Sequence, residues 1–363
     1  MHNLTPETCL VVSLGPTLSN ESEIAAALEF DADFRQPFGY RKQDHFGQFA
    51  IVDRLRKQMN RRGTVYIDLP SERPRVGVLA TELQLTVGQA VRISTAAQIS
   101  SPRTLPDGEG CGTQIPEIPI PGLARYMGEI KPGNRVLIRD GNIALKVTGV
   151  SDSEASAVVE TATEAIWTNN NVVLPDSDLM FHPLTQPDLE MLRQYRESSF
   201  APDWVLLSFV TSVQQIEEAR VQLREIFADR APKIMVKIET AKSFERMGAL
   251  LANSDGLLVA RGDLGVAVAP ERLPAMQEDI VRACHAAGKP VLVATQFLQV
   301  FADTGVPNRA ELSDLALAVR QGVSGILLTK ETSGSKFPRE AMQLVKRVIG
   351  VESQRILQAE ACS

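Results

Sequence analysis

Residues 234–240 read IMVKIET and residues 256–266 read GLLVARGDLGV. Each opens with a short, almost unbroken apolar run and ends in charged or glycine-bearing sequence. Runs of this length with no polar alternation suit strands buried on both faces, as in a parallel sheet. The same texture recurs at Trp204–Ser208 (WVLLS), Pro290–Ala294 (PVLVA) and Gly325–Thr329 (GILLT). Between the runs the apolar residues fall three or four apart: Leu273, Met276, Ile280, Cys284 and Ala287, with Gly288 placed to end that helix. Leu312, Leu315, Ala316 and Val319 form a second stripe, and Ala341, Leu344, Val345 and Val348 a third, with Pro338 near its start.

Working toward the N-terminus, Cys9–Leu14, Ala32–Arg35 and Thr64–Asp68 read as three further strands, with helices over Ile24–Phe30 and Phe49–Met59. Three strands and five make eight, the number that closes a (β/α)8 TIM barrel, so the fold class is α/β. Between about 78 and 171 the pattern becomes alternating and β-branched (LTVGQAVRI, NRVLIRDGNIALKV, ASAVVETATEAI), which predicts a small all-β B domain inserted after the third strand. The barrel would then comprise residues 1–77 and 172–355. The proline- and glycine-rich stretch from Ser100 to Gly122 reads as a long irregular loop.

The chain has 363 residues, a formal net charge of −6, 44% hydrophobic and 23% charged residues. That balance gives no electrostatic reason to expect nucleic acid. No apolar run reaches the ~20 residues that span a bilayer, so no membrane association is expected. The start lacks the pattern of a signal peptide. Cys9, Cys111, Cys284 and Cys362 lie far apart, which suits reduced thiols in a cytoplasmic protein better than a disulfide framework or zinc site.

Barrel active sites gather where the C-terminal strand ends converge. Lys237 and Glu239 lie two apart, so they face the same way, and Asp263 follows the next strand within Arg261-Gly262-Asp263. Two carboxylates from neighbouring strands can hold a divalent ion while leaving positions for substrate oxygens. A lysine beside them can neutralise a phosphoryl group or an enolate. Spacing alone leaves the plainer alternative open, in which Lys-x-Glu is a surface ion pair and Arg-Gly-Asp a turn.

MVKIET, SDGLLVARGDLGV, AGKPVLVATQFL, PNRAELSDLALAV and GILLTKET, in this order, resemble the core of the pyruvate kinase family. TCLVVSLGPTL resembles that family's first strand, NRVLIRDGNIAL a strand pair of its B domain and NNVVLPDSD its return to the barrel. The resemblance implies that Lys237 is the catalytic lysine beside the transferred phosphoryl group. Glu239 and Asp263 would be ligands of Mg²⁺ or Mn²⁺, and Gly262 and Asp263 would offer backbone N–H groups to the substrate carboxylate. Thr295 would stand near the enolate carbon and the proton-transfer step, and Arg35 would contact phosphate. The implied partners are phosphoenolpyruvate or pyruvate, ADP or ATP, and further copies of the chain in a homo-oligomer. Glu311, Asp314, Glu331 and Thr332 would be structural or subunit-contact residues, with a solvent-facing helix side the plainest reading.

The chain also departs from the family. The Asn and Ser that follow the strand-two arginine are missing from RQPFGYRKQDHF, and DTKGPEIR has become DLPSERPR. Asp68 and Arg75 remain, whereas Leu69 and Pro70 replace a threonine and a lysine. Arg73 falls where potassium-dependent members carry glutamate. A guanidinium is always protonated and could stand in for the K⁺ charge, so K⁺ is not expected to be required. A basic residue expected after Ser208-Phe209 is replaced by Val210-Thr211-Ser212, and Thr329-Lys330 replaces the usual Ser-Gly. The residues that would bind nucleotide are therefore left unassigned. The sequence stops soon after the eighth helix, so the family's C-terminal allosteric domain is expected to be missing. Three functions follow: a phosphotransferase on phosphoenolpyruvate, a metal-dependent lyase or decarboxylase of oxaloacetate or aldolase type working through the pyruvate enolate, and a phosphoenolpyruvate-binding pseudoenzyme.

Overall fold

A computed structural model describes residues 8–38, 45–98, 115–198 and 200–361. Eight parallel strands close into a barrel: Cys9–Ser13, Ala32–Pro37, Val65–Leu69, Trp204–Leu207, Lys233–Ile238, Gly256–Ala260, Val291–Ala294 and Gly325–Leu328. Each strand pairs with its neighbours in chain order, and the first pairs with the eighth through Cys9–Gly325 to Val12–Leu328.

The two-residue period of the strands separates two cores. Val11, Tyr66, Leu206, Met235, Leu258, Leu292 and Leu327 pack with one another in the barrel interior. Their chain neighbours Val12, Ile67, Val205, Val236, Val259, Val293 and Ile326 pack in a second cluster with the surrounding helices. Two residues beyond Tyr66, Leu206 and Met235, on the same face, stand Asp68, Ser208 and Lys237. The interior thus changes from apolar to polar toward the C-terminal strand ends.

The helical stripes become the helices Leu273–Ala286, Arg309–Arg320 and Pro338–Ala361. Gly288 takes φ +63 after the first of these, a backbone that favours glycine. The helix Arg309–Arg320 starts with a capping box in which the Asn308 side chain and Glu311 exchange hydrogen bonds with each other's backbone N–H.

Between the third and fourth barrel strands the chain builds a separate sheet in the order Glu117–Pro119, Ala90–Ser94, Glu154–Ala162, Ile143–Val150, Arg135–Ile138, Val172–Val173. Its ladders are antiparallel except for the parallel pairing of Arg92–Ser94 with Glu117–Pro119. Val91, Ile93, Ile118, Val136, Ile143, Leu145 and Val159 form its core, which includes Phe181 and Phe209 from the barrel side. The stretch 100–122 is not irregular throughout. Residues 100–114 lie outside the described residues, while Glu117–Pro119 is a strand at the sheet's edge. An edge position tolerates Pro119 because one side of an edge strand has no ladder to donate to. At the other end of this sheet the turn Arg139-Asp140-Gly141-Asn142 leans on the barrel: a Cβ at Gly141 would lie 3.5 Å from Val266 Cγ1. Among the described residues no helix is long and apolar enough to cross a membrane.

Candidate active site at the C-terminal mouth of the barrel

Lys237, on the inward face of the fifth strand, lies at the centre of a chain of buried charges. Its ammonium is 2.8 Å from Glu239 Oε1, 3.2 Å from Asp68 Oδ1 and 3.0 Å from Ser208 Oγ. Asp68, at the end of the third strand, also accepts from Arg35 of the second strand, with Nε at 2.7 Å and a close contact from Nη2. Arg35 Nη1 in turn donates to Ser13 Oγ at 2.9 Å. The ends of five successive strands thus contribute to one array, which adjacency in the closed barrel makes possible. Burial works against the Lys237 ammonium, but the Asp68 and Glu239 carboxylates outweigh it and hold the pKa above the ordinary lysine value. Burial likewise opposes charge on Asp68, yet Lys237 and Arg35 hold its carboxyl below the usual range.

Glu239 is 1% exposed. Its Oε2 accepts the Phe209 backbone N–H at 2.7 Å, whereas Oε1 lies beside Lys237 at 2.8 Å but out of line for a hydrogen bond, and has no other partner. Burial raises this carboxyl; Lys237 opposes the rise and the nearby Asp263 carboxylate adds to it. Asp263 itself accepts from Arg73 Nη1 at 3.0 Å, and the Arg73 guanidinium stands 5.4 Å from the Phe209 ring centre. The Arg-Gly-Asp segment, expected as a turn, is the opening of a helix at Arg261–Ala267.

A divalent ion fits this arrangement on the chemistry of the donor set: two carboxylates stand close enough to repel, and Lys237 alone faces Glu239 Oε1. Among the described residues no cluster of three or more His, Cys, Asp or Glu could hold a metal by itself. Two carboxylates suit a hard cation that takes its remaining oxygens from substrate and water, so Glu239 and Asp263 are the protein groups able to hold it.

Thr295 follows the seventh strand with φ +72, and Gln296 follows with φ +59. For a β-branched residue this left-handed backbone is strained and must be held from outside. The hold comes from Arg261, whose Nε and Nη2 donate to the Thr295 carbonyl at 3.1 and 2.7 Å. Arg261 is fixed by Asp314 at 2.7 Å and stacks 3.9 Å from the Phe297 ring centre. The Thr295 hydroxyl donates to the Ala294 carbonyl at 2.6 Å and accepts the Gly262 N–H at 2.7 Å. The Gly262 amide therefore has a partner already, and a substrate carboxylate would have to compete with Thr295 for it.

The structure thus brings Arg35, Lys237, Glu239, Gly262, Asp263, Thr295 and Arg73 to one mouth. Sequence reasoning missed four contributors: Ser13, Ser208, Arg261 and the bridging role of Asp68. Three of them carried a signal, since Ser13, Asp68 and Ser208 are polar residues terminating apolar barrel strands. Glu311, Asp314, Glu331 and Thr332 do not form a solvent face. Glu311 is buried and accepts the Val300 N–H at 2.6 Å, and Glu331 is buried and accepts the Thr329 N–H at 2.7 Å. The buried Thr332 hydroxyl lies between the Ser13 N–H at 3.0 Å and the Ser13 carbonyl at 3.2 Å, and Asp314 positions Arg261.

Two clefts meet at the Arg73–Asp263 pair. One, of about 400 Å³, is lined by Arg35, Asp68, Arg75, Asn169, Ser208 and Lys237. The other, of about 220 Å³, is lined by Gly262, Thr295, Gln296, Gln299, Thr329 and Lys330 on the barrel and Asp140 from the second sheet.

A family model described as pyruvate kinase, barrel domain, matches residues 5–342. A pyruvate kinase of Agrobacterium vitis is 32% identical over 347 residues, covering 94% of this chain and 68% of that protein. One from Thermotoga maritima is 30% identical over 295 residues, covering 81% of this chain and 59% of its own length. Among solved structures, a pyruvate kinase from Cryptosporidium parvum superposes with a TM-score of 0.84 at 24% identity, over 97% of this chain and 70% of that one. A likeness at that identity speaks for the fold.

Proposed function

Because the chain belongs to the pyruvate kinase family, we propose that it transfers a phosphoryl group between phosphoenolpyruvate and a nucleoside diphosphate, using a divalent ion held by Glu239 and Asp263. The observation that carries this reading is the charge array around Lys237. It holds an ammonium and a guanidinium at fixed positions on one wall of the larger cleft, where charge on a transferring phosphoryl group must be offset.

In this reading Lys237 and Arg35 face the phosphoryl oxygens, and Asp68 keeps both cations aligned before substrate arrives. That preorganisation matters because dipoles and charges already in place cost no rearrangement during the reaction. The divalent ion, when bound, supplies positive charge to the oxygens of the enolate and the phosphoryl group. Gly262 and Asp263 lie at the start of their helix to meet the carboxylate of the three-carbon acid. Thr295, which lines the smaller cleft, orients the proton delivered to the enol carbon. Asp140 and its turn stand over the smaller cleft, where they limit water.

Arg73 supports a reaction without K⁺. Its guanidinium is a permanent charge, pinned by Asp263 and Phe209 on the border between the two clefts. Mg²⁺ and Mn²⁺ both suit the two-carboxylate donor set, because each favours oxygen ligands.

The test is an assay of the purified protein with phosphoenolpyruvate and a panel of nucleoside diphosphates, with Mg²⁺ or Mn²⁺, with and without K⁺. The expected result is nucleoside triphosphate formed without K⁺, and a fall of about 10³-fold on Lys237→Met. No product with any nucleotide or cation overturns the proposal.

A further inference from the structure

The smaller cleft is larger than a three-carbon acid needs. Its roughly 220 Å³ corresponds to room for on the order of ten waters. An acid seated against Gly262, Asp263 and Thr295 would leave the part toward Gln296, Gln299 and Lys330 unfilled. The charged groups on its wall are Arg73, Asp140, Asp263, Lys330 and Glu331. Four of these have partners within or behind the site. Arg73 is joined to Asp263, Asp140 accepts from Asn171 Nδ2 at 2.7 Å, and Glu331 accepts the backbone N–H groups of Thr329 and Leu298. Lys330 differs. Its Nζ reaches Asp303 at 2.8 Å, outside the cleft, with the two side chains 54% and 58% exposed. An ion pair this open to water holds its partners weakly, so the lysine can exchange Asp303 for an anion inside the cleft at little cost.

We propose that this site accepts an acid longer than pyruvate that carries a second anionic group, a 2-oxo dicarboxylate or its enol phosphate, and that Lys330 binds that second group. The inference rests on the function proposed above, because it takes the first carboxylate and the 2-oxo group to lie at Gly262, Asp263 and the divalent ion. Gln296 and Gln299 lie along the cleft wall and supply neutral hydrogen-bonding groups beside the longer chain. Lys330 is then a specificity-determining residue, remote from the atoms that react.

Calorimetric titration in the presence of Mn²⁺ tests this with three probes: pyruvate, 2-oxobutyrate and 2-oxoglutarate. 2-Oxobutyrate adds length without charge, and 2-oxoglutarate adds both. The expected result is 2-oxoglutarate binding roughly three- to five-fold more tightly than 2-oxobutyrate, the range open to a solvent-accessible ion pair. Lys330→Met should erase that difference, and Asp303→Asn, which frees the lysine, should widen it. Equal affinity for the two longer acids, or a preference that survives Lys330→Met, overturns the inference. Pyruvate bound in a Mn²⁺-dependent manner while 2-oxoglutarate is not bound overturns it alone. Failure of all three, pyruvate included, removes the reading of the site beneath it as well.

Discussion

The two sides of the Arg73–Asp263 pair are built by opposite means. On the Lys237 side, side chains from the first five strands compensate one another's charge: Ser13, Arg35, Asp68, Ser208, Lys237 and Glu239. On the Thr295 side the geometry is set by the backbone. A strained left-handed threonine is clamped by Arg261, and a glycine amide is held against its hydroxyl. A buried charge array positions its members rigidly but makes each indispensable to the others, while a backbone clamp leaves an adaptable cleft beside it. Residues on the Thr295 side, Thr329 and Lys330 among them, can therefore change without disturbing the cations opposite.

The largest expected effect falls on the charge array. Asp68→Asn leaves Lys237 and Arg35 buried without their shared carboxylate, and breaking a buried pair by removing one member costs about 3 kcal/mol. Urea denaturation monitored by circular dichroism should show a loss of that order, with activity lost alongside. A loss under about 1 kcal/mol, typical of an exposed pair, would break the contrast between the two sides.

A smaller effect is expected at the border. Arg73→Gln removes the guanidinium 3.0 Å from Asp263, so that carboxylate should bind a divalent ion about five-fold more tightly in the absence of substrate. Electron paramagnetic resonance of free Mn²⁺ reads this directly. The same variant should show phosphoryl transfer that K⁺ stimulates, whereas the parent protein should be indifferent to K⁺. Weaker Mn²⁺ binding in the variant would place Arg73 among the groups that help hold the ion, not among those that compete with it.

At neutral pH the smallest effect lies away from the mouth, in the apolar parts of the fold. Burial pushes the Cys9 and Cys284 thiols up from 9.0 to about 12. A thiol whose folded pKa exceeds its unfolded value keeps its proton in the folded state while the unfolded chain loses it. Stability is therefore full below pH 9 and declines as pH rises toward 12. Denaturation midpoints should hold to about pH 9 and fall from there to pH 11, and thiol reagents at pH 8 should not label Cys284 in the folded protein. Ready labelling of Cys284 would contradict its burial.

Much of the architecture was legible because strands buried on both faces have a distinctive composition. GLLVA and GILLT could hardly be surface sequence, and the helical stripes between them repeat at three and four residues. The strand Glu117–Pro119 was hidden by the prolines at 116, 119 and 121, whose turn-forming tendency outweighs three residues of edge pairing. The acidic residues of RAELSD and TKET looked like solvated helix faces because a carboxylate is usually exposed. Glu311 and Glu331 are buried where they accept backbone N–H groups, and Asp314 pairs with the Arg261 guanidinium, partners that no spacing of side chains reveals. Arg261 was read as part of a turn for the same reason: its contacts are to the Thr295 carbonyl and to Asp314, 34 and 53 residues away in the chain.

Composition and period alone located the eight barrel strands, gave Lys237 and Glu239 a common face, and set Arg35, Lys237, Glu239, Asp263 and Thr295 at or just beyond strand ends. These follow from periods of two and 3.6, which are local properties of the chain. Tertiary structure alone decided that Asp68 lies between Arg35 and Lys237, that Arg73 meets Asp263, and that Lys330 turns out of the cleft toward Asp303. Such pairings join residues up to 190 positions apart. They exist only once the barrel has closed and set the stagger of each strand against the next.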